Sequence, residues 1–238
     1  MVDLVKALKR PFSDINKFLI GTLLSIIPIV NFTVIGYKLV STGFTEEKVE
    51  RDSLPEWKNY GDLFVKGLVS VVIGIILFLP AALIILGTFG TVIVAPALSM
   101  IFGGISPETW EKLMTGQITD MQIQDWFAQN WTQFISLLLN ATPFLLFGAL
   151  LALLAYYILP VAILGWLKEG RLSASFSWSI IKKAVTVDYL VNWIVVGVIT
   201  MIMSVLLGWI PLIGNGITMY VLGVFSYTVF AEVYEQAS

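Results

Sequence analysis

A chain of 238 residues that is 58% hydrophobic and 13% charged, with mean hydropathy +0.88, lies far from the roughly 25% charged residues of soluble domains and reads as a membrane protein. The absence of cysteine and histidine excludes disulfides, thiolate and imidazole metal sites, cysteine nucleophiles and imidazole bases. The net charge of −2, with the basic residues spread along connecting segments, leaves no nucleic-acid footprint.

Residues 1–17 read as a basic amphipathic helix bent at Pro11. Val5, Leu8, Phe12 and Ile15 recur at helical spacing on one face, with Lys6, Lys9, Arg10 and Lys17 on the other. Such a helix is expected in the headgroup layer, with Lys6, Lys9 and Arg10 on anionic lipid. Asp3 and Asp14 among the cations, and the lack of a small-residue cleavage site before Asn31, argue against a signal peptide. Residues 18–43 are apolar but broken by Pro28 and Asn31 into halves of about twelve residues, each too short to span alone. A kinked helix and a re-entrant hairpin both fit that pattern, and charge separates them. Of 14 Lys and Arg, 4 lie in residues 1–17, 5 in 38–66 and 4 in 166–187, and only Lys112 lies between 105 and 132. The positive-inside rule places the first three groups in the cytoplasm, so this stretch is expected to enter and leave by the same face.

Residues 54–104 open with Leu54-Pro55-Glu56-Trp57, where Trp57 is expected to anchor at the interface. A span from Leu63 to Gly87 follows, with Asp62 at the positive end of its dipole and Lys66 snorkelling to water. Thr88 to Gly104, rich in glycine and interrupted by Pro96, is expected to be a broken segment dipping from the outer face. Residues 105–132 read as an acidic outer cap, with helix starts at Ser106-Pro107-Glu108 and Asp120 and with Trp126 at the interface. Residues 134–166 are apolar for longer than a bilayer, which predicts tilt, a kink at Pro143 or Pro160, or a helix that continues past the lipid. Residues 168–187 read as a second basic interfacial helix, with Lys182 and Lys183 on headgroups and Trp178 as anchor. Two further spans fill 189–236, joined by a tight turn at Pro211, Gly214, Asn215 and Gly216.

Ile27-Pro28-Ile29-Val30-Asn31-Phe32, Gly36-Tyr37, Leu54-Pro55-Glu56-Trp57, the run from Tyr60 to Leu68 and Leu79-Pro80 together carry a resemblance. The pattern resembles the prokaryotic, largely archaeal membrane family called domain of unknown function 4013. Leu159-Pro160, Gly170-Arg171-Leu172 and Ile210-Pro211 continue it through the second half. The resemblance implies a polytopic fold and a membrane compartment, and it carries over no functional residue.

The chain also echoes itself. Leu23, Leu24, Ile27, Pro28 and Tyr37 match Leu206, Leu207, Ile210, Pro211 and Tyr220 without gaps, and Phe78-Leu79-Pro80-Ala81-Ala82 resembles Ile158-Leu159-Pro160-Val161-Ala162. Matched breaks in two halves point to a site at the membrane midplane, here Pro28, Asn31, Pro211 and Asn215. The ordinary alternative is that each asparagine satisfies its own turn. No Asp, Glu, Lys or Arg falls near the centre of an expected span, which weighs against an ion-coupled carrier, and no carboxylate pair can be assembled. No catalytic residue, metal site or cofactor is expected.

The expected architecture is an all-α integral membrane protein, one polytopic domain of about four full spans with a re-entrant N-terminal hairpin and interfacial amphipathic helices. It is expected in the cell membrane with both termini cytoplasmic. The expected function is a non-catalytic module binding lipids, other membrane proteins or further copies of itself. The alternative is a passive pore or facilitator for a small solute, alone or as an oligomer, lined by the proline-asparagine breaks.

Overall fold

The computed structural model of the chain describes residues 2–45, 53–95, 98, 111–112, 114–115 and 120–237, and for 120–130 and 133–134 the backbone alone. Every regular element among them is helical: α1 Leu4–Lys9, α2 Ile15–Ile26, α3 Asn31–Val40, α4 Tyr60–Thr88, α5 Asp120–Glu169, α6 Trp178–Ala184, α7 Val187–Leu207 and α8 Ile213–Gln236. Among the described residues, four stretches are long and apolar enough to cross a bilayer, namely Tyr60–Val94, Ile135–Glu169, Val187–Leu207 and Ile213–Gln236, which suggests a multi-pass membrane protein. The chain forms two compact units, Met1–Leu77 with Ala155–Ser238, and Phe78–Leu154.

Several boundaries differ from those expected. The N-terminal segment is not one bent helix, because α1 stops at Lys9, a 3-10 turn takes up Arg10–Phe12 around Pro11, and Asp14 starts a new helix. The Asp14 carboxylate accepts from the Asn16 and Lys17 amides at 3.0 and 3.1 Å, which satisfies two donors that a helix start leaves open. Instead of breaking at Thr88, the α4 backbone runs on through a π-helical turn, Phe89–Val94. The expected break at Pro96 and the segment 105–119 of the acidic cap lie outside the described residues, apart from Glu111, Lys112, Met114 and Thr115. Helix α5 passes Pro143 and Pro160 without interruption.

The unit made of Met1–Leu77 and Ala155–Ser238 is built on α8. Helix α2 runs antiparallel to it, with Phe18 and Gly21 beside Tyr220 and Ile26 beside Gly216. Helix α3 runs parallel, with Asn31 beside Met219, Lys38 beside Gly223 and Phe44 beside Tyr234. Helices α2 and α3 therefore fold back on each other, and their outer ends meet where the Arg10 guanidinium donates to Ser41 O at 2.7 Å. Small residues permit the close approaches: a side chain on Gly36 would meet Leu63 O at 1.8 Å, and one on Gly67 would meet Phe32 O at 1.8 Å.

The internal echo is structural. After Pro28 and after Pro211 the next residue takes positive φ, 70° at Ile29 and 61° at Leu212. Each turn closes with the same bonds. Val30 N–H donates to Pro28 O at 2.8 Å and Ile213 N–H to Pro211 O at 2.7 Å, while Asn31 N–H and Gly214 N–H reach Ile27 O and Ile210 O at 3.0 Å each. These are γ-turns of the rarer hand, which a branched side chain adopts only under constraint. The matched tyrosines, Tyr37 and Tyr220, are fully buried and face one another at 6.1 Å.

In the unit Phe78–Leu154, Gly148 lies against Ile85, where a side chain would come within 2.6 Å. Leu83, Leu86, Leu146 and Leu150 are exposed, as lipid-facing residues are. The Thr91 and Thr142 hydroxyls donate to the carbonyls of Gly87 and Leu138 within their own helices, so neither needs water.

Candidate functional site

Two ends of the α2–α3–α8 group differ in chemistry. No Asp, Glu, Lys or Arg separates Lys17 from Lys38 or Asp188 from Glu232, so the turns at Pro28 and Pro211 form an uncharged end. Pro28, Pro211 and Asn215 are exposed there. The Asn31 amide reaches only the Met219 sulfur, at 3.9 Å, and its Oδ1 accepts no hydrogen bond among the described residues. Next to the turns α2 and α8 pack closely, since a side chain on Gly216 would meet Thr22 O at 2.6 Å and Ile26 Cγ1 at 2.7 Å.

The opposite end gathers cations. Residues 10–17 and 53–57 are tied together: Arg10 donates to Ser53 O at 3.0 Å, Lys17 to Leu54 O at 2.8 Å, Trp57 Nε1 to Lys17 O at 3.3 Å, and Lys17 pairs with Glu56 at 2.7 Å. The third basic group arrives through Tyr234, whose ring lies under Lys183 Nζ at 3.9 Å and Lys168 Nζ at 5.4 Å. Lys168 also faces the Phe44 ring at 5.8 Å. Among the described residues, members of all three basic groups thus lie at this end: Arg10 and Lys17, Lys66, and Lys168 with Lys183. Helix α1 packs there as well, with Leu4, Ala7 and Leu8 in the cluster of Val233, Tyr234 and Ala184.

The candidate headgroup residues divide. Lys6, Lys9 and Lys182 are exposed. Arg10 is not at the surface: it is 6% exposed and donates to Thr228 Oγ1 at 2.9 Å as well as to the Ser41 and Ser53 carbonyls. Hydrogen bonds from a charged donor stabilise by about 1.5–3 kcal/mol each, which holds the guanidinium inward in place of a headgroup. Lys183 is half-buried and donates to Tyr234 O at 3.2 Å. Burial, and then the neighbouring Lys168 ammonium, lower its pKa from the usual lysine value.

The aromatic anchors divide too. Trp178 is 67% exposed beside Phe176, Val185 and Val187, all open. Trp57 instead stacks flat on Tyr37, with ring centroids 3.8 Å apart and planes 7° off parallel. The Trp126 side chain lies outside the described residues.

Beside Tyr234 opens a cleft of about 730 Å³ between the end of α3, the start of α4 and the end of α5. Sequence reasoning missed it, because its walls come from three separated segments. Its charged side chains are Asp62, Lys66, Lys168 and Glu169. Lys66 is bonded to Asp62, and Glu169 to Arg171 at 2.7 Å. No group of three acidic or other ligating side chains suited to a metal occurs among the described residues.

No curated protein and no solved structure matches the chain. A family model does, over residues 20–212, which takes in Pro28, Pro211, the Leu-Pro-Glu-Trp loop and the cleft. The chain belongs to that family, DUF4013, described as proteins of unknown function.

Proposed function

We propose that the protein is a non-catalytic membrane module whose basic end holds lipid headgroups and whose bundle associates with other membrane proteins or with further copies of itself. The observation that carries this reading is α6 and its flanks, where exposed Phe176, Trp178, Val185 and Val187 stand beside exposed Lys182 at the end of the spans. Large apolar side chains next to a lysine fit the boundary between acyl chains and headgroups, with α1 supplying Lys6 and Lys9 to the same layer. Positive-inside logic makes that layer cytoplasmic, with both termini. Helices α2 and α3 then form a re-entrant hairpin whose two ends Arg10 clamps. The alternative is a passive pore lined by Pro28, Asn31, Pro211 and Asn215.

The test is the lipid retained by the purified full chain, counted by native mass spectrometry. The triple variant K6Q/K9Q/K182Q is expected to lose the enrichment of anionic over zwitterionic lipid, and unchanged enrichment overturns the reading. Because the chain has no cysteine, single-cysteine labelling is clean. K58C is expected to label from the cytoplasm and N215C from outside, and labelling of both from one side overturns the orientation.

A further inference from the structure

Among the described residues, the cleft beside Tyr234 has one cation with no carboxylate partner, Lys168. Lys66 is closed by Asp62, and Glu169 by Arg171. Lys168 meets no carboxylate among the described residues, and its ammonium is held instead by the faces of Phe44 and Tyr234 at 5.8 and 5.4 Å. Two rings orient a lysine without cancelling its charge. Lys183, on the same Tyr234 ring at 3.9 Å, is repelled by Lys168. An anion placed in the cleft against Lys168 relieves that repulsion.

The walls suggest what carries the anion. Trp166 lines the cleft at the end of the α5 span, where an aromatic marks the interface. Val65 lines it from α4, and from Val65 an exposed stripe continues along that helix through Leu68, Val72 and Ile75. Steps of three and four residues keep these on one helical face. A charged pocket at the end of a span, continuous with an apolar stripe down the same span, matches a molecule with a phosphate at one end and an acyl chain at the other. Pockets of about 300–1,000 Å³ accommodate ligands of headgroup size or larger.

We propose that this cleft is a binding site for one membrane phospholipid, with its phosphodiester on Lys168 and an acyl chain along Val65, Leu68, Val72 and Ile75. The proposal rests on the reading of a lipid-associating module, and it adds a defined single site to a diffuse basic layer.

The experiment uses the delipidated full chain in detergent, titrated with phosphatidylglycerol and read by native mass spectrometry. One tightly retained phosphatidylglycerol is expected. Diacylglycerol, which lacks the phosphate, and glycerol 1-phosphate, which lacks the chains, are each expected to compete at least about tenfold more weakly. K168Q is expected to weaken that one lipid by about tenfold while K168R keeps it, as a charge-assisted bond to phosphate requires. Full competition by glycerol 1-phosphate would mean a site for soluble phosphates, and full competition by diacylglycerol a merely apolar groove; either overturns the proposal, as does undiminished binding by folded K168Q. The competitions need no variant, so they decide the matter even if K168Q does not fold. K6Q/K9Q/K182Q is expected to keep the single lipid. If that triple variant leaves lipid enrichment unchanged while K168Q loses one lipid, the basic-layer reading falls and the site stands.

Discussion

Helices α7 and α8 follow one another across a short turn and have similar lengths, 21 and 24 residues, yet they face different surroundings. In its most apolar stretch α7 is 6% buried within the protein, and α8 is 61% buried. The outer helix is the greasier one. Along α7, Val191, Ile194, Val198, Ile202 and Val205 form an exposed stripe, while α8 turns Tyr220, Thr228 and Tyr234 inward. Water drives soluble proteins to put apolar residues inside, but lipid exerts no such drive, so a spanning helix is drawn inward by partners for its polar groups and by small residues that let neighbours approach.

That contrast can be broken by substitution. The largest effect is expected for Tyr220→Ala, which empties the fully buried contact with Tyr37 and costs about 3–5 kcal/mol; unfolding in a titration of denaturing detergent measures it, and a loss below about 1 kcal/mol would take α8 out of the core. Next comes Arg10→Met, with an expected loss of about 2–4 kcal/mol as the Thr228, Ser41 and Ser53 oxygens lose their donor. Its signature is faster amide exchange in residues 53–57, and unchanged exchange would show that the clamp does not hold that loop. Gly216→Val should cost about 1–3 kcal/mol because its side chain runs into the α2 backbone. The matching change in α7, Gly197→Val, meets nothing within 4 Å and sharpens the comparison by leaving the melting temperature in place. Smallest is Val198→Ala on the exposed stripe, within about 0.5 kcal/mol of the parent. A larger shift would mean that a protein surface covers that face.

The spans were legible because hydropathy over about twenty residues needs no knowledge of neighbours. The paired turns were legible for a related reason: Pro28 and Tyr37 keep the spacing of Pro211 and Tyr220, and a local hydrogen-bond pattern follows local sequence. Arg10 was not legible. It lies in a three-residue 3-10 turn, where helical periodicity does not fix which side chain turns inward, and two of its acceptors are carbonyls, which any residue type supplies. Trp57 failed likewise, since an aromatic near a charged loop fits an interface until Tyr37 is seen against its face. The cleft left no trace because Phe44, Asp62, Lys168 and Tyr234 meet only once three turns of the backbone have been made.

The bond from Arg10 to Thr228 joins residues 218 apart. During synthesis the arginine emerges 218 residues before its partner. Over that interval its segment carries a positive charge whose Thr228 acceptor does not yet exist. Closing of the nascent bundle around Arg10 is thereby tied to the arrival of α8, and a chain cut short before Thr228 cannot make that contact.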